Sequence, residues 1–239
     1  MHGHEFRGSY TVSVTPFTPD GGDIDETAQR RFVDWQVREG VPGLIILGTT
    51  GEFLAVSDSE RTRLIEVTVD QAAGRIPVLV GTMNAHTPTA VRYIKEASMD
   101  VGRVYDIVEA TEGVMNVFAG ERIVESYLPG AVGYVNPFGN YISGPSSRIC
   151  DLLAEGKVEE AKAIQRHISV IEHTIAEGHP TWGHQCYSKA LAALVGYPMG
   201  DVRPPLTSFA SLGQEGRDRL EKLRRVMQDL GVLSAEAAE

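Results

Sequence analysis

Apolar and polar positions along the chain follow two rhythms. Thr11-Val12-Ser13-Val14-Thr15 alternates with a period of two and stops at Pro16, which predicts a strand over 10–15. Gly43-Leu44-Ile45-Ile46-Leu47 and Pro77-Val78-Leu79-Val80 are short continuous apolar runs, the pattern of strands buried on both faces of a parallel sheet. Segments of helical period separate them. Asp25 caps a predicted helix that carries Ala28, Phe32 and Trp35 on one side and ends at Gly40. Ser57-Asp58-Ser59-Glu60 has the form of a capping box. It opens a helix to Ala73 that buries Leu64, Ile65 and Val69 or its neighbours, with Gly74 closing it. Strand, helix, strand, helix, strand with short loops implies parallel strands joined by right-handed crossovers.

Further along, a helix over 101–111 carries Val104, Ile107 and Val108; a strand follows over 114–119 and a short helix over 121–128. Ala131-Val132-Gly133-Tyr134-Val135 predicts another strand. After Asn140 the texture changes to helices over 145–155, 157–176, 187–195 and 214–230, with no convincing strand. The chain thus divides into an α/β body over 1–140 and a helical region over 141–239 packed on it, where contacts between copies in a homo-oligomer are expected.

One stretch has two readings. Taken locally, Thr87-Pro88 makes a good helix start, with Ala90, Val91, Ile94 and Ala97 buried and Lys95 in water. As a strand, Tyr93 and Lys95 share one face, and Arg92 and Ile94 the other. A lysine pointing into an apolar barrel is desolvated, which lowers its pKa and frees the amine to attack a carbonyl.

The chain of 239 residues is 42% hydrophobic and 23% charged, enough to build a real core. Its net charge of −10, uninterrupted by any basic cluster, argues against nucleic acid and anionic membrane as partners. No apolar run reaches the roughly 18 residues of a membrane helix, and residues 1–7 lack the apolar core of a signal peptide. Cys150 and Cys186 are isolated and read as buried thiols of a reducing compartment rather than a disulfide, so cytoplasm is the expected location.

Gly48-Thr49-Thr50-Gly51 follows a buried strand at its C-terminal end, the edge where parallel α/β folds bind ligands. Two glycines let the backbone turn and present N–H groups, and two threonines add hydroxyls. Together they suit a small carboxylate; the plain alternative is a tight turn. The lysine of a phosphate loop is absent. His179, His184 and Cys186 lack a further ligand to complete a metal site and read as surface and packing residues; His2 and His4 read equally plainly. No metal or cofactor is expected. Tyr93 and Tyr134 read as core tyrosines able to stand in for an acid, and Glu52 as a hydrogen-bond partner for its own loop.

Taken together, Val14-Thr15-Pro16-Phe17, Gly48-Thr49-Thr50-Gly51-Glu52, Ser59-Glu60-Arg61, Gly74-Arg75-Ile76-Pro77-Val78 with Gly81, and Ile94-Lys95-Glu96 resemble the pyruvate-dependent class I aldolases. That family contains dihydrodipicolinate synthase and N-acetylneuraminate lyase. Gly133 and Asn140 sit where the family has its last barrel strand. The resemblance implies a TIM-type (β/α) barrel with C-terminal helices and a Schiff-base lyase, aldolase or synthase acting on pyruvate or a 2-keto acid and an aldehyde. Lys95 would form the Schiff base, Thr49 would belong to the proton relay, Thr50 with Gly48 and nearby N–H groups would hold the carboxylate, and Val135 would line the pyruvate pocket. The departure is one of length. Lys95 follows Thr50 by 45 residues, whereas four units of about 31 residues predict roughly 125. About two βα units are missing between Ala85 and Val91, and with them the family's strand-five tyrosine and arginine. Two readings follow: an active Schiff-base enzyme, or a shortened relative with structural or binding behaviour only.

Overall fold

The computed structural model describes residues 6–81, 93–98, 100–112, 115–177 and 184–234. In chain order it contains β1 (Gly8–Val12), α1 (Glu26–Arg38), β2 (Leu44–Ile46), α2 (Asp58–Ala72), β3 (Val78–Val80), β4 (Tyr93–Glu96), α3 (Val101–Ala110), β5 (Asn116–Ala119), α4 (Ile123–Tyr127) and β6 (Ala131–Asn136). Four helices follow: α5 (Ser143–Ala154), α6 (Val158–Ala176), α7 (His184–Leu194) and α8 (Gly213–Asp229). The six strands form one sheet in the order β3-β2-β1-β6-β5-β4, and every pairing is parallel. This is a shortened (β/α) barrel. It leaves β3 and β4 as the two rims, because no ladder joins them among the described residues.

Local sequence explains the helix ends. The Asp25 side chain accepts from the Ala28 N–H at 2.9 Å, which satisfies one free donor of α1. Ser57 and Glu60 form the predicted capping box of α2. The buried stripe of α2 runs through Leu64, Val67, Thr68 and Ala72, so Val69 is exposed rather than buried. The reason is a polar partner: the Thr68 hydroxyl receives the Gln29 side-chain amide across the α1–α2 contact, which turns that face inward. Trp35 is buried, stacked on Tyr197 at 4.6 Å between ring centres.

Strand alternation sorts the side chains into two layers. Tyr10, Val12, Phe118 and Val135 form a cluster on the concave face, with Tyr93 and Phe6 packed against it. Val117, Ala119 and Tyr134 point the other way, into the largest core with Ile149, Ile168 and Leu191 of the C-terminal helices. Both cysteines are free thiols; Cys186 is buried and Cys150 half-buried. Residues 93–96 are a strand. The remainder of the ambiguous stretch, 87–92, lies outside the described residues, as do His2, His4 and His179.

Candidate functional site

The C-terminal ends of parallel strands converge on one mouth, and the loops that leave them carry the polar groups. The loop after β2 is bound tightly to its neighbours. The Thr15 hydroxyl donates to the Gly51 carbonyl at 2.7 Å. A Cβ on Gly51 would stand 2.9 Å from the Ser13 carbonyl oxygen, so only glycine lets the loop lie this close to the strand-one segment. Glu52 holds a left-handed backbone, φ 54°. Its carboxylate, fully buried, sits 2.7 Å from the Lys189 ammonium of α7 and accepts from the Arg203 N–H at 2.9 Å. Lys189 and Arg203 both lie over the Phe17 ring, at 4.2 and 3.9 Å from its centre. Burial lowers the Lys189 pKa, and the Glu52 charge opposes that shift. Glu52 thus anchors its own loop, through a buried lysine that the sequence did not single out.

Within this loop the two threonines diverge. Thr50 is buried, and its hydroxyl stands 3.5 Å from His184 Nε2 at the start of α7. Thr49 is exposed and lines an apolar cleft of 310 Å³ with Gln185 and Leu206; its carbonyl receives the Gln185 side-chain amide at 3.5 Å. Gly48 is buried.

Lys95 rises from the last turn of the rim strand β4, on the face it shares with Tyr93. A Cβ on Gly120 would lie 2.8 Å from the Glu96 carbonyl oxygen and 2.9 Å from Lys95 Cε, so the bare glycine after β5 lets the chain lie this close to the end of β4. Lys95 keeps solvent access, yet the surrounding protein lowers its pKa by desolvation, with the Glu121 carboxylate pulling upward. Glu121 is itself raised, by burial first. His184 is lowered to about 4, by burial first and then by the positive charge of Lys95. Thr50 and His184 thus adjoin at the mouth, and Lys95 is near enough to bear on His184 through its charge. Val135, on the concave face of β6, is nearly closed to solvent below it.

Of the sequence-predicted residues, Lys95, Thr50 and Val135 face the concave side or its mouth, Gly48 forms the turn, and Thr49 opens onto the adjoining cleft. Tyr134 is fully buried on the outer face, among groups that raise its pKa well above the ordinary value, so it is remote from the mouth. Tyr93 is on the concave face. Sequence reasoning read His184 as a surface or packing residue and passed over Glu121; neither carries a local signal of its place at the mouth. Among the described residues no group of three His, Cys, Asp or Glu side chains is placed to hold a metal ion, and no helix is long and apolar enough to cross a membrane.

Comparison with known proteins follows the same outline. The model of the dihydrodipicolinate synthetase family matches residues 5–93 and 90–225, so the two matched pieces meet where the sheet has its open rims. A 4-hydroxy-tetrahydrodipicolinate synthase of Salinibacter ruber is 46% identical over 101 residues, 42% of this chain and 33% of the relative. One from Nitrobacter hamburgensis is 47% identical over 87 residues, 36% of this chain and 29% of the relative. The matched stretch therefore spans about a third of the length of these curated relatives. Among solved structures, the dihydrodipicolinate synthase of Thermotoga maritima superposes with a TM-score of 0.81 at 23% identity, covering 96% of this chain and 100% of that one. The chloride-inhibited dihydrodipicolinate synthase of Acinetobacter baumannii, complexed with pyruvate, gives 0.79 at 21% identity, covering 95% of this chain and 99% of that one.

Proposed function

The chain belongs to the dihydrodipicolinate synthetase family, and from that premise we propose that it forms a Schiff base between Lys95 and the ketone of pyruvate or another 2-keto acid. The imine serves carbon–carbon bond formation or cleavage with an aldehyde. The observation that carries this reading is a lysine of lowered pKa at the C-terminal end of a parallel strand, on the concave face of the sheet whose mouth also carries the glycine–threonine loop. A lowered pKa leaves more of the amine neutral near pH 7–8, and the neutral amine is the nucleophile. The buried Thr50 hydroxyl, Gly48 and the adjacent backbone N–H groups hold the substrate carboxylate. Holding it presents the ketone to Lys95 as an effectively unimolecular partner. Val135 lines the floor beneath the substrate, and Thr49 serves the proton relay from the adjoining cleft. Pyruvate is bound by the Acinetobacter baumannii relative, which supports the choice of keto acid.

Imine formation needs the lysine and a held ketone. Turnover also needs proton transfers that the family assigns to a tyrosine with no counterpart here, so imine formation outlasts turnover. The body over 1–140 carries the Schiff-base lysine and the glycine–threonine loop. The helices over 141–239 supply contacts between copies of a cytoplasmic homo-oligomer, which light scattering on the purified chain checks. Borohydride reduction in the presence of pyruvate is the chemical test. It traps a pyruvyl adduct on the Lys95 peptide. A Lys95 peptide left unmodified, under conditions that label a full-length relative, sinks the reading.

A further inference from the structure

The Schiff-base reading leaves the base for the methyl carbon of the keto acid unassigned, and a partly buried titratable group stands beside the threonine loop. His184 opens α7 and faces Thr50, with Nε2 3.5 Å from the hydroxyl. Its neighbour Gln185 is buried and donates to the carbonyl of Thr49. Two consecutive side chains therefore dock the first turn of α7 onto the threonine pair. Cys186 and Tyr187, both buried, fix that turn from behind.

Resting on the Schiff-base reading, we propose that His184 is the acid–base residue for the methyl carbon of the bound keto acid, working beside the Thr50 hydroxyl. With its pKa lowered to about 4, the imidazole is neutral at pH 7 and has one nitrogen free to accept a proton. Glu121 also neighbours Lys95, but it follows β5 and has no hydrogen bond to the threonine loop among the described residues, so it lacks the contact that puts His184 beside the carboxylate holder. In the step itself, the C3–H bond of the Lys95 iminium breaks and its electron pair becomes the C2=C3 bond. The C2=N π pair moves onto nitrogen, and the proton passes to the imidazole. The result is a neutral enamine and an imidazolium. Reversal returns a proton to C3, and in heavy water the imidazolium first exchanges with solvent, so a deuteron is returned.

The test follows two readouts on the full chain in heavy water with pyruvate. Proton NMR follows loss of the pyruvate methyl signal, and borohydride trapping with peptide mapping follows the imine. The parent chain exchanges the methyl protons and is trapped at Lys95. His184→Gln slows exchange by roughly 10²-fold or more while trapping persists, and added imidazole partly restores exchange to His184→Ala, which a purely structural role does not predict. Should His184→Gln lose its circular dichroism spectrum, His184→Asn carries the same comparison. Unchanged exchange in a folded variant, exchange lost instead in Glu121→Gln, or trapping without exchange in the parent overturns the assignment and leaves the Schiff-base reading standing. No adduct in the parent fails the Schiff-base reading, and the assignment with it.

Discussion

The two halves of the mouth are built by different means. The threonine loop is fastened by buried polar contacts: Thr15 to Gly51, Glu52 to Lys189, and the Arg203 guanidinium to Glu60 and to the carbonyls of Gly21, Gly22 and Ala55. The lysine strand has one ladder, to β5, and otherwise leans on aromatic edges, Phe6 against Tyr93 at 5.2 Å and Tyr10 against Phe118 at 5.5 Å. Its outward Glu96 meets the exposed Arg103 at 3.5 Å, a contact worth little. Buried hydrogen bonds specify position, whereas apolar contacts specify proximity. Preorganisation in this chain is therefore concentrated on the threonine loop, the proposed carboxylate holder.

The largest effect that sharpens this contrast is expected on the loop side. Lys189→Met leaves Glu52 buried without its cation and costs roughly 3–5 kcal/mol of stability, measured by urea unfolding. Adding Glu52→Gln recovers part of that loss, and no recovery breaks the claim that the pair is the fastening. Asn140 comes next. Its side chain donates to the Val12 carbonyl at 2.8 Å and accepts from the Val14 N–H at 3.0 Å, so Asn140→Ala strands two buried backbone groups and costs roughly 2–3 kcal/mol by the same measurement.

Titration separates the halves by sign. On the loop side, the hydrogen bond from Arg203 lowers Glu60 to about 2. Its folded pKa lies below the unfolded value of roughly 4.3, so its stabilisation is present above that value and is lost as pH falls toward 2. On the lysine side, burial and then the Glu121 charge raise Glu172 to about 7. There the folded state holds the proton longer, so the contribution is full below roughly 4.3 and is lost as pH rises through 7. Glu172→Gln is expected to stabilise by roughly 1–2 kcal/mol at pH 8 and hardly at all at pH 4, read from thermal midpoints. Equal shifts at both pH values contradict the assignment. The smallest effect is at the rim: Tyr93→Leu removes edge-to-face contacts worth about 1 kcal/mol, yet slows borohydride labelling of Lys95 more than Asn140→Ala does.

Helix caps and most strand positions were legible because each rests on neighbours in sequence, although the first strand runs over Gly8–Val12 rather than 10–15, and the barrel class came with the family resemblance. Asp25 and the Ser57–Glu60 box act within one helical turn. The residues around Lys95 left it open between strand and helix, since the segment before it carries a helix start while β4 offers four residues of strand, and the family resemblance favoured the strand. Pairing with β5 decides the matter, and pairing is not a local property. His184 was read as packing because its partner Thr50 lies 134 residues away, and nothing near His184 announces the contact. The sequence also showed Glu52 as a loop partner, but not that a lysine on α7 would be buried to meet it.

The open rims change what fixes the span of the site. In a closed ring each strand is gripped from both sides, and the bore is set by strand number and stagger. Among the described residues the six strands make an arc whose end strands, β3 and β4, share no ladder, and the two proposed handholds for substrate stand apart along it, the threonine loop beyond β2 and the lysine on β4. An arc has a gape as well as a curvature. The first turn of α7 hydrogen-bonds on the Thr50 side, and the Lys95 charge bears on its His184 from the other. On the proposed function the helix acts as the crosspiece of a caliper, and the reach from proposed carboxylate holder to amine depends on where it is clamped as well as on the curvature of the sheet.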